Sequence, residues 1–232
     1  MGESYGTFIK GNDEAIMPYI NACNIACGYH AGDPVHMQRT IDLAKAHEVE
    51  IGAHPGFPDL QGFGRRTMHL PDEELRAILV YQIGALEKMA HASGVPLNHI
   101  KVHGALNNLA ARDEKTATII ATVAQEHFPD AYLYVPVNSV QSKIAQSLDI
   151  KYKVEAFIDR KYTSDYQLAS RSIAGTVIHD PEIAFTHFQL MYTQSKIETL
   201  AGQMITLTAD TFCIHGDNPG AVDILKRIHK AS

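Results

Sequence analysis

Asn24-Ile-Ala-Cys-Gly-Tyr-His30, Ile51-Gly-Ala-His54, Ile100-Lys-Val-His103 and Phe212-Cys-Ile-His215 are short apolar runs, and each ends on a histidine that Gly or Pro follows within two residues. A further run, Val154-Glu-Ala-Phe-Ile158, ends on Asp159-Arg160 instead. Runs this short and apolar suit parallel strands covered on both faces. Helical patterns lie between most of them, so the strands are expected to point the same way and to gather titratable residues at one rim. In β/α barrels that rim carries the active site.

Working outward from these runs, Asp33-Pro34 reads as a helix start, with Asp as N-cap and Pro at the first helical position. Met37, Ile41 and Ala44 keep helical spacing to about His47. Residues 54–66 are irregular and rich in turn formers. Pro71 opens the clearest helix, with Leu75, Ile78, Leu79, Ile83, Leu86 and Ala90 on one stripe and Gly94 as its stop. Strands are expected at 99–102, 132–135 and 153–158, and helices at 113–127 and 139–147. From 159 to 210 the alternation breaks into a polar loop, a short strand at 176–178, a helix opened by Asp180-Pro181 and a hairpin near Gly202-Gln203. A strand at 211–214 and a helix at 219–229 close the chain. This makes six strands suited to a barrel, and Met1-Gly-Glu-Ser4 reads as beginning just after an expected first strand.

A chain of 232 residues fits one α/β domain spanning 1–232. The formal charge of −6, without a Lys/Arg cluster, argues against nucleic acid as a partner. Thirteen histidines favour proton-transfer or metal chemistry. Cys23, Cys27 and Cys213 are odd in number and lack C-x-x-C spacing, which predicts buried free thiols and a reducing, cytoplasmic setting. No stretch is long and apolar enough to span a bilayer, and the N-terminus has no signal-peptide core, so no membrane partner is expected. Phosphate-binding and dinucleotide glycine motifs, H-E-x-x-H and G-x-S-x-G are all absent.

The candidate catalytic residues are His30, His54, Lys101, His103, Asp159, His215 and Asp217. A buried lysine is costly unless it is paired or working, which singles out Lys101. A carboxylate beside a histidine fixes its tautomer and raises its basicity, the role open to Asp159 and Asp217. Arg65 and Arg66 offer guanidinium forks to a carboxylate or phosphate. Arg160 and Glu3 complete the polar set, and Asp33 either caps its helix or joins them. Imidazole and carboxylate suit zinc or manganese, so His30 and His54 are the candidates for a metal, without a spacing motif to support one. His179 is explained by the helix start beside it, and His99 and His187 read as packing or surface residues.

The chain resembles the LamB/YcsF family, whose members serve as one of the subunits, termed A, of bacterial ATP-dependent 5-oxoprolinase. The matching segments are Gly2-Glu-Ser-Tyr-Gly6, residues 24–33, residues 51–66, Lys101-Val-His-Gly-Ala-Leu106, Val177-Ile-His-Asp180 and Cys213-Ile-His-Gly-Asp217. The resemblance implies a seven-stranded (β/α) barrel of the glycoside hydrolase/deacetylase type. It implies work with subunits B and C, opening 5-oxoproline to glutamate at the expense of ATP, with magnesium on the nucleotide. The rim residues carried over are Glu3, His30, Asp33, His54, Arg65, Arg66, Lys101, His103, Asp159, Arg160, His215 and Asp217. In contrast to the family, no Asp-Leu-Asn-x-Asp strand precedes Gly-Glu, so the barrel is expected to lack its first strand. Asn107 stands where the family carries Tyr, and Val102 where it carries Pro. Two alternatives stay open: a stand-alone metal-dependent amidohydrolase or deacetylase, and a non-catalytic scaffold component of the complex. Homo-oligomerisation is also open.

Overall fold

The computed structural model describes residues 1–231. Its elements in chain order are α1 (Asp13–Ile16), β1 (Ala22–Ala26), α2 (Pro34–Ala46), β2 (Glu50–His54), α3 (Asp72–Ala92), β3 (Leu97–Ile100), α4 (Gly104–Ala110), α5 (Glu114–His127), β4 (Tyr132–Pro136), α6 (Val140–Ser147), β5 (Tyr152–Phe157), α7 (Pro181–Gln194), β6 (Lys196–Glu198), β7 (Met204–Thr206), β8 (Thr211–Cys213) and α8 (Ala221–His229). They fall into two compact units. One comprises Met1–Val135 with Ser139–Tyr152, the other Pro136–Asn138 with the chain from Lys153 onward.

In the first unit β1 pairs with β2, β2 with β3 and β3 with β4, all in parallel. The α2 start behaves as its sequence dictates: Asp33 accepts hydrogen bonds from the Val35 and His36 N–H groups, and Pro34 opens the helix. The stripe on α3 is buried at Leu75, Ile78, Leu79, Ile83, Leu86 and Ala90. Each large apolar side chain of this kind contributes about 1.5–3 kcal/mol of burial. Gln82, also fully buried, interrupts that stripe. The β2–β3 register slips between Ile51 and Gly52. A Cβ on Gly52 would lie 2.0 Å from His99 Nε2, so the strand can take only glycine there.

Three expectations are corrected here. The third strand ends at Ile100, so Lys101 and His103 lie beyond it. Lys101 N–H still donates to the Ala53 carbonyl at 2.9 Å. His103 N–H donates to the Pro55 carbonyl at 2.8 Å, but proline has no N–H to continue the ladder. Helix α4, which the sequence periodicity does not predict, starts immediately after His103. The strand expected at 176–178 is reduced to a single bridge between Arg160 and Val177. Gly175 at φ +77° and the Asp180 cap leave no length for a ladder.

In the second unit β5 pairs in parallel with β8, and β6 with β7 as an antiparallel hairpin turning at Gly202, as expected. One apolar cluster comprises Val137, Ala156, Phe157, Tyr162, Met191, Ile197 and Leu207. A second comprises Ile158, Ile178, Ala184 and Ile224. The fold is α/β with parallel strands, as the alternation predicts. All three cysteines are free thiols; Cys23 and Cys27 are buried as expected, whereas Cys213 is only half-buried. No helix among the described residues is long and apolar enough to cross a membrane.

Candidate functional site

Three segments of the first unit bring imidazoles together. His30 follows β1, His54 ends β2 and His103 precedes α4. The rings of His30 and His103 stack at 3.8 Å and 6°, and His54 stands edge-on to His103 at 4.8 Å. His54 Nδ1 lies 2.6 Å from the Lys101 carbonyl, and His54 Nε2 lies 3.0 Å from His103 Nδ1. His103 Nε2 lies 2.8 Å from the Phe63 carbonyl. His30 is fully buried, and neither of its ring nitrogens has a hydrogen-bond partner.

Glycines make this packing sterically possible. A Cβ on Gly64, at φ +62°, would lie 2.7 Å from His30 Cβ and 2.8 Å from His103 Cδ2. A Cβ on Gly56 would lie 2.9 Å from His30 Nδ1. Gly56 is held in turn by Gln82, whose Oε1 accepts its N–H and whose Nε2 donates to its carbonyl, both at 3.0 Å. Phe63 stands edge-on to both His30 and His103, at a left-handed φ of 55° that costs a non-glycine residue about 1 kcal/mol. Neither Gln82 nor Phe63 stands out as a site residue in the sequence. An amide amid an apolar helical stripe is the one signal that could have exposed Gln82.

The electrostatics around the cluster are cationic. Burial lowers the His30 pKa well below the usual histidine value, and charges at His103, the N-terminus and Arg65 push it further. Burial likewise lowers His54, helped by His103, Lys101, His30 and the N-terminus. Lys101 is buried. Lys10 and Arg65 lie over the Phe63 ring, at 4.3 and 4.9 Å from its centroid.

The remaining candidates of this unit have other partners. Asp33 accepts from Gly6 N–H at 2.7 Å and from the His36 ring at 2.8 Å, besides capping α2. Those bonds, the Gly6 N–H foremost, hold its carboxyl well below the usual carboxylate range. Arg66 forks onto Asp59, whose pKa falls to about 2, chiefly through that guanidinium and despite burial. Glu3 is half-buried in an N-terminal segment that Met1 ties to β1 through Asn24 and Ala26. Asn107 is buried on α4, and its Oδ1 has no partner.

In the second unit Asp159 is fully buried and organises a network of its own. His215 donates from Nδ1 to Asp159 Oδ1 at 2.9 Å and from its backbone N–H to Oδ2 at 3.2 Å. Asn218 donates to Oδ2 at 3.0 Å. Its own Oδ1 accepts from His179 Nδ1 at 2.7 Å and from Gly220 N–H. Burial alone would raise the Asp159 pKa, but the charge of His215 and the bonds from His215 and Asn218 lower it. The carboxylate beside His215 is thus Asp159, and Asp217 sits in the turn after β8. Arg160 is buried and donates from Nη2 to the Ala169 carbonyl at 2.5 Å. With Nδ1–H given to Asp159, His215 keeps Nε2 as its basic nitrogen, the arrangement of a general base. Asn218 is silent in the sequence because nothing local marks it.

The His30/His54 metal site does not fit this geometry, since both His54 nitrogens are already engaged. Among the described residues no three His, Cys, Asp or Glu side chains are placed to hold an ion.

Comparison with known proteins agrees along the whole chain. The family model described as LamB/YcsF family matches residues 1–232. The 5-oxoprolinase A-type subunit of Syntrophobacter fumaroxidans is 44% identical over 231 residues, covering 100% of this chain and 91% of that protein. Its counterpart in Thermus thermophilus is 45% identical over 230 residues, covering 99% and 92%. The crystal structure of the lactam utilization protein from Thermus thermophilus superposes with a TM-score of 0.93 at 43% identity, covering 100% of this chain and 94% of that one. A protein of Enterococcus faecalis V583, 12% identical, covers 95% and 86% at a TM-score of 0.52 and shares the fold alone.

Proposed function

The chain belongs to the LamB/YcsF family, and from that premise we propose that it is the A-type subunit of an ATP-dependent 5-oxoprolinase. The reaction is hydrolysis of the lactam amide of 5-oxo-L-proline to L-glutamate, carried out in the cytoplasm with subunits B and C. ATP with its magnesium is the co-substrate. The family membership also supports a seven-stranded barrel of the glycoside hydrolase/deacetylase type as the architecture.

The observation that carries the reading is the meeting of His30, His54 and His103 in one cationic cluster of the first unit. A five-membered lactam resists water because nitrogen donates its lone pair into the carbonyl. Transfer of the γ-phosphoryl group to the carbonyl oxygen forms a C–O–P link, breaks the bond to ADP and makes the carbon electrophilic. Water adds to that carbon, and the tetrahedral adduct expels the ring nitrogen, which takes up a proton, so the ring opens to an acyl phosphate. A second water then attacks the acyl phosphate, phosphate leaves and the new carboxylate of glutamate is formed.

Cationic groups at Lys101 and Arg65 suit the substrate carboxylate or the phosphoryl oxygens, whose negative charge needs preorganised partners. His30, buried with both ring nitrogens unpartnered, is the residue of the cluster whose donor and acceptor are unspent. In the second unit Asp159 orients His215, and Nε2 of His215 is suited to accept a proton from water. The donor set does not fit a tightly bound metal, and none of these steps uses one.

The test is reconstitution of this chain with subunits B and C, measuring glutamate formation and ATP hydrolysis together. Formation of glutamate that requires all three subunits and ATP is the expected result. Full activity after His30→Ala or Lys101→Ala would reject the site, and ATP-independent hydrolysis by this chain alone would reject the coupling.

A further inference from the structure

The hydrogen bonds of His54 and His103 set how many protons the two rings hold. Nδ1 of His54 faces the Lys101 carbonyl, and Nε2 of His103 faces the Phe63 carbonyl. A carbonyl only accepts, so both of those nitrogens bear hydrogen. Between the rings, His103 Nδ1 and His54 Nε2 stand 3.0 Å apart, a contact that needs one hydrogen more. Three hydrogens on two rings are one more than two neutral imidazoles carry. A side-chain amide could be turned to present a donor, but a backbone carbonyl cannot.

The surroundings decide which ring holds the extra proton. His54 is tied through Nδ1 to the Lys101 backbone, and burial with the Lys101 charge disfavours the extra proton on that ring. We infer that His103 is a resident imidazolium, its two N–H groups given to His54 Nε2 and the Phe63 carbonyl, and that it acts as a positioning residue whose charge lies against the stacked His30 ring and keeps His30 an uncharged imidazole.

The charged groups around the pair oppose the extra proton, so the three hydrogen bonds are what hold it. From the segment after β1 come His30 and the Cys27 thiol, whose pKa burial pushes up to about 12. The N-terminal amine, Arg65 and Lys101 bear on His30 or His54 as positive charges. Lys10 lies over Phe63, whose ring stands 5.2 Å from that of His103. An uncharged His30 offers one N–H and one lone pair together, so it can donate to a substrate oxygen while still able to accept a proton. That last step rests on the 5-oxoprolinase reading; the protonation state of His103 does not.

The experiment is nitrogen NMR of the whole chain labelled at histidine, titrated between about pH 6 and 8. His103 is expected to show two protonated nitrogens across that range, with His30 and His54 each showing one bare nitrogen. A bare nitrogen on His103 near pH 7 would overturn the inference. The His103→Gln variant keeps an amide donor for the same acceptors but removes the charge, and the His30 titration midpoint should rise by about one pH unit or more. An unmoved midpoint would refute the coupling, and should that variant not fold, the wild-type spectrum decides. A doubly protonated His103 in a chain that fails to open 5-oxoproline with its partner subunits would reject the substrate reading and leave the imidazolium standing.

Discussion

In the first unit His30, His54 and His103 meet one another and backbone carbonyls; in the second, His215 meets the buried carboxylate of Asp159. The same side chain is therefore set to two kinds of chemistry. A carboxylate partner stabilises the imidazolium and makes Nε2 a base, whereas burial beside other cations holds His30 and His54 neutral. The cluster suits holding and orienting an anion, and the dyad suits taking a proton from water.

The sharpest way to break this comparison is Asp159→Asn, which keeps the shape but removes the charge that orients His215. Turnover of the reconstituted enzyme should fall by roughly 10³- to 10⁴-fold. A loss under about tenfold would deny the dyad its role. Next comes His30→Ala, which should lower turnover by about 10²- to 10³-fold while circular dichroism stays unchanged. The two substitutions together separate the units: a double variant no worse than Asp159→Asn alone would mean that they act in one step.

Acid stability sharpens the contrast further. Burial, aided by Lys161, lowers His187 from 6.5 to about 4 in the folded second unit. Below about pH 6.5 the unfolded chain takes up a proton there that the folded chain refuses, so stability is present above that pH and is lost on descending to about 4. That loss amounts to about 3 kcal/mol for His187. Burial gives His30 and His54 the same sign. Asp159 adds a loss at lower pH, as its depressed carboxyl is protonated. Denaturant titrations across this range should show His187→Leu flattening the slope between pH 6.5 and 4, and an unchanged slope would remove His187 from the account.

Smaller effects concern the frame around the imidazoles. Gly64→Ala would meet His30 and His103 closely, at 2.7 and 2.8 Å, in a left-handed conformation, costing about 1–3 kcal/mol in denaturant unfolding. Gln82→Leu strands both polar groups of Gly56 and should cost about 1–3 kcal/mol. Its KM should change more than its kcat if the loop only shapes the binding wall, and the reverse would give Gln82 a part in the chemistry.

Much of this was legible in the residues. The stripe on α3, the Asp33-Pro34 and Asp180-Pro181 helix starts and the strand that ends on His54 depend on neighbours a few positions away. The paired roles were less legible. Asp217 is the near carboxylate in sequence, yet His215 pairs with Asp159, 56 positions distant. Arg66 reads as a substrate fork beside Arg65, yet Asp59 claims it because the loop folds back on itself. Asn218 and Gln82 were invisible, since an amide's role depends on which backbone groups lie opposite it.

The amino-acid sequence by itself determined the α/β alternation, the family and the strand ends on which titratable groups sit, because periodicity, capping and turn chemistry act over a few residues. The tertiary structure alone decided which acceptor each imidazole faces, and so which ring is neutral, which is charged and which is basic. The physical reason is that a histidine's protonation follows from burial and from partners tens of residues away in the chain, and packing, not local sequence, selects those partners.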